Sequence, residues 1–282
     1  MSTKTLIVSG DSYAALNIHE STPKPWPSYL AEKAGWNIIN VAKGGASNQY
    51  IFNTAIDTLE EHKDKDVYVF TLWSDPFRIN FFDNACVVLN SLENLFRKVE
   101  KSSEKITDAH RQFIENSYSI SRTIMKEMLL KYDHDFYLIY DKIINSSLRY
   151  MYLFEKYCEH NKIAYSHASS ISPFGNHTIL DSIFEGNKNS KLSEIEFENG
   201  VKRIKKDNYY YKKLLDSSRY MGYEFSASGF VDHHNLNISE SDDHPTDLGH
   251  QKLSEVFYDY IFHDNKISIN TNNYLRPVYI YD

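Results

Sequence analysis

Short apolar runs that stop on polar or glycine-rich loops, each followed by helical spacing, constrain this chain more than any other feature. Leu6-Ile7-Val8 runs almost directly into Gly10-Asp11-Ser12, and so short a run bounded by turn residues suits a strand buried on both faces. "PWPSYLAEKAG" reads as a helix that opens on prolines and stops at Gly35. "WNIINVA" is a second strand, followed by the loop Lys43-Gly44-Gly45-Ala46-Ser47-Asn48. Ile51, Ala55, Ile56 and Leu59 then fall at helical spacing, "VYVFTLW" is a third strand, and "DFYLIY" and "IAYSH" read as a fourth and fifth. The alternation predicts an α/β fold, a mainly parallel five-stranded sheet with helices on both faces. Ligands bind such sheets at the carboxyl ends of the strands, which is where the loops after the first three strands fall.

The rest of the chain fits one domain over residues 1–282 with two additions. Residues 83–134 read as a helical insertion with Phe113, Ile120, Ile124 and Met128 in one apolar stripe, and residues 170–240 read as a cap over the site. "TDLGHQKLSEVFYDYIF" is a closing helix that turns Leu248, Leu253, Val256, Phe257 and Ile261 inward. The net charge of −7 argues against a nucleic-acid partner, which needs a basic face. Lys202-Arg203-Ile204-Lys205-Lys206, the one basic cluster, reads as a solvated helix face. Two cysteines, Cys86 and Cys158, do not make a secreted disulfide framework. With no signal-peptide pattern and no membrane-length apolar run, the expectation is a cytoplasmic chain without a membrane partner.

Gly10-Asp11-Ser12 reads in two ways. As structure, the glycine permits a tight turn and Asp11 or Ser12 caps the next helix. As chemistry, Ser12 presents a nucleophilic hydroxyl and a backbone N–H at the end of a strand. It is not the Gly-x-Ser-x-Gly elbow, because Ala14 stands at the last position. A candidate base lies far downstream, where Asp242 and Asp243 precede His244-Pro245. A carboxylate beside a histidine can fix its tautomer and stabilise its charged form. The same stretch also reads as a turn in which Thr246 or Asp247 starts the closing helix. His233-His234, after Asp232, invites a metal reading, but without a zinc-type ligand pattern it reads as surface, and no metal is expected. Arg78 is a candidate for an anionic substrate group, or a partner for Asp75 or Asp83.

Taken together, "GDSY", "PWPSYLAEKAGWNIINVAKGGASNQ" and "DDHPTDLGHQKL" resemble the SGNH/GDSL hydrolase family. The resemblance covers the first 50 residues and the C-terminal loop and helix, while the middle diverges. It implies a flavodoxin-like α/β/α sandwich, with Ser12 as nucleophile and His244 as base. The block from Asn40 to Asn48 matches the one that holds the oxyanion-hole glycine, best placed at Gly45. Two departures stand out. The family's Gly-x-Asn-Asp block becomes Leu72-Trp73-Ser74-Asp75-Pro76, which puts Ser74 where the oxyanion-binding asparagine belongs. The family's Asp-x-x-His spacing falls on Ser241, so the acid shifts to Asp242, with Asp243 as the alternative.

The expectation is therefore a serine esterase acting on short acyl esters, including O-acetyl groups on carbohydrate, without a cofactor. Ser12, Gly45 and Ser74 would bind the oxyanion, and Asp11, Asn48 and Arg78 would touch substrate. Two alternatives share the fold: a binding module with little hydrolysis, and an acyltransferase that delivers the acyl group to an alcohol.

Overall fold

The structure is a computed structural model that describes residues 3–16, 24–82, 85–88, 136–174, 194–239 and 242–263. In chain order the elements are β1 (Thr5–Gly10), α1 (Trp26–Ala34), β2 (Asn37–Asn40), α2 (Asn48–Glu61), β3 (Val67–Trp73), β4 (Arg78–Phe82), β5 (Ala85–Val88) and α3 (Phe136–His160). They continue with β6 (Ala164–Ser169), α4 (Glu194–Asp207), α5 (Tyr209–Leu215), α6 (Ala227–His233), β7 (Asn237–Ser239), β8 (Asp242–Pro245) and α7 (Asp247–His263). Four strands form a parallel sheet in the order β2-β1-β3-β6. Counted within the sheet this is 2-1-3-4, the start of the flavodoxin-type order, with the switch in direction at β1.

Strand alternation explains the layers. Leu6 and Val8 of β1, with Tyr68, Phe70 and Leu72 of β3, pack with Trp26 and Leu30 of α1, Phe230 of α6, and Leu253 and Phe257 of α7. Ile7, Val69 and Trp73 point the other way, onto Ile51, Ala55 and Leu59 of α2 and Ile144, Leu148, Met151 and Phe154 of α3. Helices therefore cover both faces, and β1 is buried along its whole length. α1 ends where Gly35 takes a left-handed φ of 68°, a conformation that costs glycine little. Thr246 caps α7, its Oγ1 accepting the Gly249 N–H at 3.2 Å.

Three sequence expectations need correction. "DFYLIY" is not a strand. Residues 136–140 form the first turns of α3, so the sheet has four strands among the described residues. Five apolar residues in a row suit either state. The inward spacing of Ile144, Leu148, Met151 and Phe154 continues the helix from that run. The start of the supposed helical insertion is a strand, since β5 pairs antiparallel with β4; the apolar stripe over residues 113–128 lies outside the described residues. Leu248 is 52% exposed, in the first turn of α7, whereas Leu253 and Phe257 are buried as expected. The basic cluster lies on α4, with Lys202, Arg203 and Lys206 exposed around buried Ile204. Cys158 is a free buried thiol. Among the described residues no helix is long and apolar enough to cross a membrane.

Candidate active site

The loops at the carboxyl ends of β1, β3 and β6 converge on one buried carboxylate. Asp11 follows β1 and has no exposed surface. Its Oδ1 accepts the Tyr13 N–H at 3.1 Å. Its Oδ2 accepts from Ser74 Oγ at 2.9 Å, Ser170 Oγ at 2.6 Å and Arg78 Nη1 at 3.2 Å. Such a set of donors replaces the hydrogen bonds to water that a carboxylate loses on burial. Asp11 thus ties together the ends of β1, β3 and β6, and its oxygens are taken up by the scaffold rather than left for a ligand. Ser170 was not singled out from the sequence. Its only signal was a serine pair just past the fifth apolar run.

Ser12 sits in the turn after Asp11. The Ala14 and Ala15 N–H groups both bond the Asp11 carbonyl, at 3.0 Å each. Gly10 is required by close approach: a Cβ there would meet Ala14 Cβ at 3.0 Å and Leu72 Cβ at 3.1 Å. Ser12 is 9% exposed, and among the described residues its hydroxyl makes no hydrogen bond. The β2 loop approaches the turn through Lys43, whose N–H donates to the Gly10 carbonyl at 3.0 Å, and through Asn40 Nδ2, which donates to the Ala14 carbonyl at 2.8 Å. Gly45 lies in that loop at φ 75°, where the Ala46 N–H closes a turn onto the Lys43 carbonyl at 3.1 Å.

Asn48, Ser74 and Arg78 are held differently from the expectation. Asn48 Nδ2 donates to the Ser74 carbonyl at 2.9 Å and to Ser147 Oγ at 2.5 Å, and its Oδ1 accepts the Ser74 N–H at 2.7 Å. Both amide protons therefore stitch β3 to α2 and α3, and a substrate finds no donor there. The single hydroxyl proton of Ser74 goes to Asp11, which removes it as an oxyanion donor in this arrangement. Arg78 forms its ion pair with Asp11, not with Asp75 as the spacing suggested; Asp83 lies outside the described residues. Asp75 is nearly fully buried. Burial pushes its carboxyl up, the Phe77 N–H and Arg78 oppose this, and the Asp11 charge adds to it.

The second half of the site is β8, paired antiparallel with β7 outside the main sheet. His244 Nδ1 lies 2.7 Å from Asp242 Oδ1, while Asp243 Oδ1 is 3.9 Å away. The carboxylate can only accept, so Nδ1 carries the proton and Nε2 is the basic nitrogen. Asp242 also accepts the His244 N–H at 3.1 Å, which fixes the pair twice over. Tyr13 brings this strand beside the Ser12 turn: its hydroxyl donates to the Asp243 carbonyl at 2.7 Å, and its ring lies 5.5 Å from the His244 ring. Asp242, Asp243 and His244 are also the one group among the described residues whose three ligating atoms lie within 4.8 Å of one another. His233 and His234 are exposed and fall outside that group.

No family model matches the chain, and no curated protein matches it. Among solved structures, it is similar to the psychrotrophic esterase EstA from Pseudoalteromonas sp., at 11% identity and a TM-score of 0.43, over 93% of this chain and 99% of that one. It is similar to the acetyl xylan esterase AlAXEase at 10% identity and a TM-score of 0.40, over 92% of this chain and 100% of that one. A putative lipolytic protein of the G-D-S-L family from Desulfitobacterium hafniense DCB-2 aligns at 12% identity and a TM-score of 0.40, over 91% and 98% of the two chains. The chain is thus similar to esterases and a G-D-S-L lipolytic protein over about nine-tenths of its length.

Proposed function

We propose that the protein is a serine esterase in which His244 Nε2 takes the Ser12 proton as its oxygen attacks an ester carbonyl. Asp242 keeps the imidazole in the required tautomer and stabilises its charged form. The backbone N–H groups of Ser12 and Gly45 bind the oxyanion, and water then releases the acyl group. With Ser74 committed to Asp11, this oxyanion site relies on the backbone. The substrates are short acyl esters, O-acetyl groups on carbohydrate among them.

The observation that carries this reading is the Asp242–His244 bond on a strand that Tyr13 fastens to the Ser12 turn. The Tyr13 bond links the turn holding Ser12 to the strand holding Asp242 and His244, from opposite ends of the chain. A second reading, a binding module with little hydrolysis, is favoured by the absence of a hydrogen bond from the Ser12 hydroxyl among the described residues. Hydrolases do not require that bond before substrate arrives, because catalytic contacts tighten in the complex. A fluorophosphonate probe separates the two. A mass increase on Ser12 in the wild type, absent in His244→Ala, supports the esterase. An unlabelled wild type leaves the binding module.

A further inference from the structure

The geometry points to Tyr13 as a positioning residue that sets the reach of His244 toward Ser12, a role that rests on the esterase reading. Ser12 and His244 ride on two differently paired sheets. Ser12 extends from β1, which is paired on both sides and buried throughout. His244 extends from a four-residue strand in a two-stranded ribbon whose register shifts, and that ribbon shares no ladder with the main sheet. A base must come within about 2.6–3.2 Å of the proton it removes. An error of about 1 Å can cost on the order of 10²-fold in rate. The ribbon's own pairing does not fix its distance from β1.

Tyr13 spans the two sheets. Its N–H is held by Asp11 Oδ1 at 3.1 Å, which anchors the residue to the carboxylate that gathers the strand ends. Its side chain belongs to the buried cluster that includes Leu6, Val8, Trp26 and Phe70 and is 1% exposed, so it has little freedom to swing. Its hydroxyl donates to the carbonyl of Asp243, the residue between Asp242 and His244. Its ring lies 5.5 Å from the imidazole, tilted by 31°. One bond to the backbone between acid and base restrains both without occupying either reactive atom. The contact also comes from the chain neighbour of the nucleophile, so a shift of the Ser12 turn carries the ribbon with it.

Tyr13→Phe tests this, because it removes the hydroxyl and keeps the buried ring. Two measurements are needed: hydrogen exchange of the β8 amides, and steady-state kinetics on an aryl acetate. The expected result is faster exchange at residues 242–244, with exchange in β1 and β3 unchanged. In the same variant kcat falls about three- to tenfold, the equivalent of one ordinary hydrogen bond, KM stays put, and phosphonate labelling of Ser12 slows by the same factor. A Tyr13→Leu variant that still folds loses more kcat than Tyr13→Phe. Unchanged β8 exchange overturns the tether whatever the fate of the esterase reading. Faster exchange with kcat within twofold of wild type, or a change confined to KM, overturns the positioning role. A wild type that neither hydrolyses ester nor takes the probe overturns the esterase reading and the positioning role with it, and the exchange data then still report on the tether alone.

Discussion

The Glu155–His167 and Asp242–His244 pairs bring the same two chemical groups together in different surroundings. Glu155 and His167 meet at 2.8 Å with their side chains 4% and 0% exposed. Asp242 and His244 meet at 2.7 Å, 27% and 25% exposed. In the buried pair, Trp73 Nε1 donates to His167 Nδ1 at 2.8 Å. The proton of His167 must then be on Nε2, where Glu155 accepts it. Both ring nitrogens are consumed, and Ser217 also donates to the same carboxylate oxygen. Burial alone would raise the Glu155 carboxyl, but the His167 and Ser217 bonds help hold it below the usual range. In the half-buried pair, Asp242 takes Nδ1. A histidine acts as a base only where a substrate proton can reach its second nitrogen, so similar chemistry gives a core staple in one place and, under the proposed esterase reading, an acid–base unit in the other.

The comparison breaks most sharply on rate. Ser12→Ala and His244→Ala should each lower kcat on a short aryl ester by on the order of 10⁶, as expected when members of one catalytic unit are removed. Asp242→Asn should cost about 10⁴ through loss of the correct tautomer. Asp243→Asn should stay within about threefold, since its carboxylate lies 3.9 Å from the ring. If Asp243→Asn is the damaging change, the acid has been placed one residue early.

The buried pair should answer in stability. Glu155→Leu leaves the His167 and Ser217 donors unmatched and should cost about 1–3 kcal/mol of folding free energy, with kcat per folded molecule unchanged. A carboxyl held below its ordinary 4.5 contributes stability above that value, and the contribution is lost as pH falls through the lowered value. Denaturation curves of wild type and Glu155→Leu should therefore converge in acid. A gap that persists at low pH contradicts the assignment.

Ser74→Ala sharpens the same division inside the site. Because its hydroxyl serves Asp11, the variant should keep kcat within about threefold while losing about 1.5–3 kcal/mol, the range for a bond to a charged group. A large drop in kcat with an unchanged Tm would return Ser74 to the oxyanion. The smallest effect is expected at Asp75. Its raised carboxyl means the native state holds the proton more tightly than the unfolded chain, so stability falls as pH rises from 3.8 to the raised value. Asp75→Asn keeps an acceptor for the Phe77 N–H and should raise Tm slightly at neutral pH, with no gain below 3.8.

The sequence carried the layered α/β plan because that plan is written in local terms. Apolar runs bounded by Gly10, Lys43 and Ser74 mark strands that end on one edge, and Gly35 and Thr246 mark helix boundaries by their own chemistry. Ser12, Asp242 and His244 stood out because their types, in that order, suit one reaction. "DFYLIY" could not be settled locally, since five apolar residues in a row satisfy strand and helix alike until packing against the sheet decides. The polar residues around the site were no more legible. Asp11, Asn48, Ser74 and Arg78 all carry groups able to bind substrate, and the sequence does not say which donors are already spent. Folding decided that by bringing Ser170 from the end of β6 and Arg78 from the start of β4 onto Asp11, and Ser147 from α3 onto Asn48. A residue's type fixes how many hydrogen bonds it can make, and this sequence set that number at every position. Which partners fill them depends on contacts between distant segments, so only the tertiary structure divided the scaffold from the groups left for chemistry.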